Sequence, residues 1–162
     1  MPTVLGRVQS GQGKAHDTLR EQMPYFRECF PEIRDIHPAT LNILLEKPVV
    51  VLVPDFTSPP IPWHPGFRLM KGGEVFQFVR ITLRLLEPQP GREVPAWIYR
   101  AQFSPYRDNP FYAEVLAPRL DLQGQPRCEL TIASHCEEGL VVMGGEEATA
   151  PARPPRNEGR MR

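Results

Sequence analysis

Twenty prolines are spread through these 162 residues, and that distribution does most to limit what the chain can fold into. Proline has no backbone N–H to donate, and its ring collides with the preceding turn of a helix. It therefore ends helices and keeps to strand ends, sheet edges and turns. A bundle of long helices is hard to write under that constraint, and the stretches between the prolines are short. "VLGRV" (4–8), "TLNILL" (40–45), "VVVLV" (49–53), "EVFQFVRITLRLLE" (74–87), "AWIYRAQF" (96–103), "CELTI" (128–132) and "LVVM" (140–143) read as strands. In the longest of these, Val79, Ile81, Leu83 and Leu85 share one face and Arg80, Thr82 and Arg84 the other, a period of two.

Two segments read as short helices. "PYFRECF" (24–30) has Pro24 at the favoured first position, with Phe26 and Phe30 four apart on one edge. "PFYAEVLAP" (110–118) is closed by Pro118. Many short strands with few helices point to a mainly β fold, a small barrel.

At this length one domain is expected, over residues 1–147. Residues 148–162, "ATAPARPPRNEGRMR", are expected to be a disordered tail. Its four arginines against Glu158 leave the tail at +3 and the rest of this formally neutral chain at −3. Such a tail either touches acidic partners or is simply solvated. Zero net charge argues against a dedicated nucleic-acid binder. No apolar run approaches the roughly 18 residues of a membrane helix, and "MPTVLGRVQS" lacks the apolar region of a signal peptide. The expectation is a cytoplasmic protein without a membrane partner. Cys29, Cys128 and Cys136 form no CxxC pair and read as reduced thiols, with His135 beside Cys136 a poor metal signal.

Three patches could carry chemistry. In "GRVQSGQGKA" a strand runs into S-G-x-G and a lysine. Gly11 and Gly13 permit a turn whose N–H groups cradle an anion, with Lys14 adding charge; the same pattern also makes a plain hairpin. Neither the Walker A spacing nor a dinucleotide fingerprint is present. In "HPATLN", Thr40 and Asn42 share one face of a strand, about 6.5–7 Å apart. They are either two neutral oxygen ligands for Mg2+ or groups that hydrogen-bond across a strand end. In "SPYRDNPFYAEVLAP", Glu114 is a lone acid in an apolar segment, at the exposed edge of a helix or facing a polar ligand edge. Tyr106, Phe111 and Tyr112 either stack on a flat ring or belong to the core. The proline-rich stretch 54–73 carries Trp63 and His64, which cap a ligand site or pin the loop.

The order G-x-V-x-S-G-x-G, then P-x-T-L-N-[ILV], then E-[VI]-[LI]-A-P and a closing strand resembles the archaeal CTP-dependent riboflavin kinases over residues 4–132. That resemblance implies a six-stranded cradle-loop β-barrel with one or two short helices. It implies transfer of the γ-phosphate of CTP to riboflavin, with Mg2+, giving FMN and CDP. By position it implies nucleotide contacts at Gly11, Gln12, Gly13, Lys14, Ala117, Pro118, Arg119 and Leu120. Thr40 and Asn42 match the metal-binding T-x-N, and Glu114 matches the acid near the flavin, with Ser104 or Tyr106 nearest to the remaining flavin position. This chain departs from the pattern at Lys14 and Ala15, where the family reads E-G, and at Ala39, where it has glycine. Those departures keep a second expectation open: a non-catalytic barrel that binds a flavin, a nucleotide or a protein partner.

Overall fold

The computed structural model describes residues 2–12, 17–51, 53–62, 72–133 and 140–142. The elements are β1 (Thr3–Ser10), α1 (Asp17–Cys29), a 3-10 turn (Pro31–Ile33), β2 (Leu41–Leu45), β3 (Val49–Val51), β4 (Phe56–Thr57), β5 (Phe76–Leu85), β6 (Val94–Ala101), β7 (Tyr112–Leu116), β8 (Arg127–Ile132) and β9 (Leu140–Val142). Six strands in the order β5-β6-β7-β2-β1-β8 form an antiparallel sheet, and β8 pairs back onto β5 to close it. The fold is thus mainly β, a closed six-stranded barrel with one α-helix among the described residues. Closure leaves these six strands no open edge. The short β4 extends the sheet beside the start of β5, and β3 pairs with β9 in a separate two-stranded ladder.

The alternation read from the sequence sets the two faces. Val79, Ile81 and Leu83 of β5 point into the barrel with Leu41, Ile43 and Val115, all buried. Phe76 and Phe78 lie on the opposite face, where α1 packs. The helix presents Leu19, Met23 and Phe26 as a stripe at helical spacing, with Phe30 just beyond it. The Phe26 ring meets Phe76 edge-on at 4.8 Å and Phe78 at 5.1 Å. Phe30 stacks flat on Phe56 of β4 at 4.4 Å.

Arg80, on the same face, ties this layer together. Its guanidinium donates to both carboxylate oxygens of Glu32, at 2.8 and 2.6 Å. Its backbone N–H donates to Asp55 at 2.7 Å, and its charge lies 5.6 Å from the Trp97 ring. The 3-10 turn and the segment before β4 are thereby held against β5.

Two sequence expectations are corrected. The first helix begins at Asp17, not at Pro24, and Pro24 lies inside it. An interior proline costs about 3 kcal/mol, but the buried side chains flanking it contribute roughly 1.5–3 kcal/mol each, so the helix continues through it. The segment 110–118 is not a second helix but holds β7. There Ala113 and Val115 point inward between β6 and β2, which supply ladder partners on both sides.

Phe26 is fully buried and touches three other rings. Phe26→Ala is expected to lower unfolding free energy by about 3–5 kcal/mol in urea titration; a loss below about 1 kcal/mol would show that α1 is not anchored there.

Candidate functional site

Strand register brings the chemistry-bearing patches to one barrel wall. β1 carries an irregularity between Val8 and Ser10, which sets Ser10 opposite Asn42. On its other side Asn42 lies opposite Glu114 of β7. Ser10, Asn42 and Glu114 are therefore successive members of one cross-strand row, at side-chain spacings of about 5 Å. Leu41 and Ile43 face inward, so the row lies on the outer wall.

Asn42 donates through Nδ2 to Ser10 Oγ at 2.6 Å. Its Oδ1 is buried and has no hydrogen-bond partner among the described residues. A buried amide oxygen left unpaired costs about 1–3 kcal/mol. It is a hard, neutral donor of the kind Mg2+ accepts. Thr40 immediately precedes β2 and is half-buried. Among the described residues no group of three or more His, Cys, Asp or Glu could hold a metal ion. A metal bound at this edge would thus need oxygens from its ligand and from water.

Glu114 is half-buried on the outer wall, which removes the helix-edge alternative. Ser104 Oγ donates to Glu114 Oε2 at 2.7 Å, and Tyr106 N–H reaches Ser104 Oγ at 3.3 Å. Burial raises the Glu114 carboxyl above its usual range; the Ser104 bond pulls it down, and the nearby Glu74 pushes it up again. Glu74 is itself 3% exposed and accepts from Phe103 N–H at 3.1 Å. Two carboxylates, the half-buried Glu114 and the buried Glu74, therefore anchor the loop that follows β6. Tyr106 and Tyr112 stack at 4.3 Å, and burial pushes the Tyr112 hydroxyl up to about 12, with Tyr106 and Glu114 adding to the rise. These rings border a cavity of about 180 Å3 whose wall includes Val49, Arg100, Asn109 and Glu114. Phe111 is core.

Beyond Ser10, the segment at Gln12 is joined to the carbonyl of Ala117. That carbonyl accepts from His37 N–H at 3.0 Å and from Gln12 Nε2 at 3.1 Å. Gln12 Nε2 also donates to Pro118 O at 2.9 Å, and Gln12 Oε1 accepts from Leu120 N–H at 2.7 Å. The glycine turn, "HPATLN" and "EVLAP" thus converge on one backbone oxygen. Beside it, Gly11, Gln12 and residues 119–122 line a cleft of about 680 Å3. Arg119 is exposed there, Leu120 and Pro118 are half-buried, and Ala117 is fully buried. A Cβ at Gly11 would meet Leu122 Cδ1 at 2.5 Å, so the Leu122 side chain would have to turn aside to admit one.

Gly13, Lys14, Trp63, His64, His135 and Cys136 lie outside the described residues, as does the tail 148–162. Sequence reasoning missed three participants: Ser10 as the partner of Asn42, Glu74 as a second buried acid, and the His37 ring, whose Nε2 is buried without a partner among the described residues. Only Ser10, inside the S-G-x-G motif, carried a signal that could have marked it.

Neither the protein-family models nor the curated proteins yield a match to this chain.

The raised Glu114 carboxyl fixes a sign for stability. The folded state holds this proton to higher pH than the unfolded chain, so native stability from this group falls as pH rises from the ordinary 4.5 through the folded value. Glu114→Gln is expected to gain stability relative to the parent at pH 8 and to lose most of that gain at pH 4, read by urea unfolding at both. A difference independent of pH would show that burial does not govern this carboxyl.

Proposed function

We propose that the chain is a Mg2+-dependent phosphotransferase that moves the γ-phosphate of CTP onto the terminal ribityl hydroxyl of riboflavin, releasing FMN and CDP. The observation that supports this best is the cross-strand row in which Ser10, next in chain to the Gly11–Gln12 cleft, neighbours Asn42 with its buried unpaired amide oxygen, and Asn42 neighbours Glu114 beside stacked tyrosines. Glu114 and Ala117 are three residues apart in the chain, which span at most about 10 Å. That is the scale of a polyphosphate lying between two bound ligands.

In this reading the segment at Gly11 and Gln12 lies along the nucleotide phosphates. Arg119 offers a cation at the rim of the cleft. Tyr106 and Tyr112 offer flat faces for a ring. Glu114, oriented by Ser104, accepts from the polar edge of the flavin. Asn42 Oδ1 and the Thr40 hydroxyl would hold the metal, and their neutrality suits a cation that arrives with a charged nucleotide. When bound, Mg2+ would neutralise charge on the transferring phosphoryl group. The work left to the protein is positioning, which phosphoryl transfer chiefly requires.

Purified protein with riboflavin, Mg2+ and each nucleoside triphosphate in turn is expected to yield FMN with CTP, detected by chromatography. No FMN with any nucleotide overturns the reading; flavin binding without turnover would leave a non-catalytic flavin-binding barrel. Asn42→Ala is expected to lower turnover at least about 100-fold while Tm stays within a few degrees, and retained turnover would remove Asn42 from the metal edge.

A further inference from the structure

Gln12 is 5% exposed, and its side-chain amide is spent on the protein itself. Both Nε2 hydrogens go to carbonyls, those of Ala117 and Pro118, and Oε1 accepts from Leu120 N–H. A glutamine amide has two donors and one carbonyl acceptor, so every polar atom of this side chain is bonded. The partners are more than a hundred residues away in sequence, and the bonds bridge two segments that also approach each other at Leu122 and Gly11. The cleft beside Gln12 has these same two segments as its walls.

We infer that Gln12 is a positioning residue: it touches no ligand through its side chain but clamps the glycine turn to residues 117–120 and so sets the width of the nucleotide cleft. Three consequences follow from the bonds. The carbonyls of Ala117 and Pro118 and the N–H of Leu120 are already engaged, so a ligand in the cleft meets side chains and the backbone of the turn instead. A change at Gln12 acts on the nucleotide end alone, because Glu114, Ser104 and Tyr106 are held by a separate set of bonds. The clamp also depends on length and polarity together, since a leucine fills the same space with no bonds and a glutamate keeps only the acceptor for Leu120.

This inference rests on the reading of the cleft as a nucleotide site, and the test separates the two. CTP with Mg2+ and riboflavin are each titrated calorimetrically into the parent, Gln12→Leu and Gln12→Glu. Gln12→Leu is expected to weaken CTP about tenfold or more, to leave riboflavin within twofold, and to speed amide exchange at Leu120 at least tenfold. Gln12→Glu is expected to fall between it and the parent, and it carries the test if Gln12→Leu does not fold. CTP affinity within twofold of the parent in both variants overturns the positioning role, as does an equal loss of CTP and riboflavin, which would mark a general structural residue. Failure of the parent itself to bind any nucleotide overturns the nucleotide reading and the inference with it.

Discussion

β5 is buried on both faces, and the rest of the molecule is arranged by that fact. One face gives Val79, Ile81 and Leu83 to the barrel interior; the other gives Phe76 and Phe78 to α1. Its two long edges pair with β6 and β8, so closure of the sheet is made on this strand. Once the barrel closes, register has little freedom. A slip of one residue in β2 would carry Leu41 and Ile43 to the outer wall and Asn42 to the interior. The apolar pattern of the core is therefore also what aims the polar row Ser10, Asn42 and Glu114 outward. Core and site are separate in chemistry but coupled through the same ladder.

The polar groups on that wall divide into two kinds. Gln12, Ser104 and Glu74 are engaged with backbone or side-chain partners and hold loops in place. Asn42 Oδ1 and His37 Nε2 are buried without partners among the described residues. Unpaired buried polar atoms are rare in native proteins because each forfeits a hydrogen bond to water. His37 lies on the stretch that leads into β2 and Asn42 near the start of that strand, opposite Glu114. Arg84 Nε on β5 is likewise buried and unpaired among the described residues, so the contrast with the fully bonded Gln12 side chain is local to this wall.

How far the sequence could be read follows from what each feature depends on. The strands of β5, β6 and β8 were legible because the barrel interior takes every second residue of each, which writes a period of two into the chain. β7 was not, since "PFYAEVLAP" suits either element locally and only its two neighbouring strands decide. The first half of α1 was hidden by polar residues around Leu19 and by Pro24, which imitates a helix start. In the site, Thr40 and Asn42 were legible as a spacing. The adjacency of Asn42 and Glu114 was not, because it arises from the pairing of β2 with β7. A buried glutamine leaves no periodic trace, so the clamp at Gln12 could be found only from its bonds.

The neutrality of the proposed metal edge has a thermodynamic consequence. Thr40 and Asn42 bring oxygens without charge, and the nearest carboxylate in the row, Glu114, is already bonded to Ser104. A divalent cation on neutral donors alone gains little over its hydration shell, and Mg2+ gives up water reluctantly. Its charge would have to be matched by the phosphates of the nucleotide, so the two would bind as a unit. By linkage, each would then raise the other's affinity by the same factor. The cleft clamped by Gln12 and the edge formed by Asn42 would in that case be two halves of one binding event, held together by the short run of chain from His37, whose N–H is fixed to the Ala117 carbonyl.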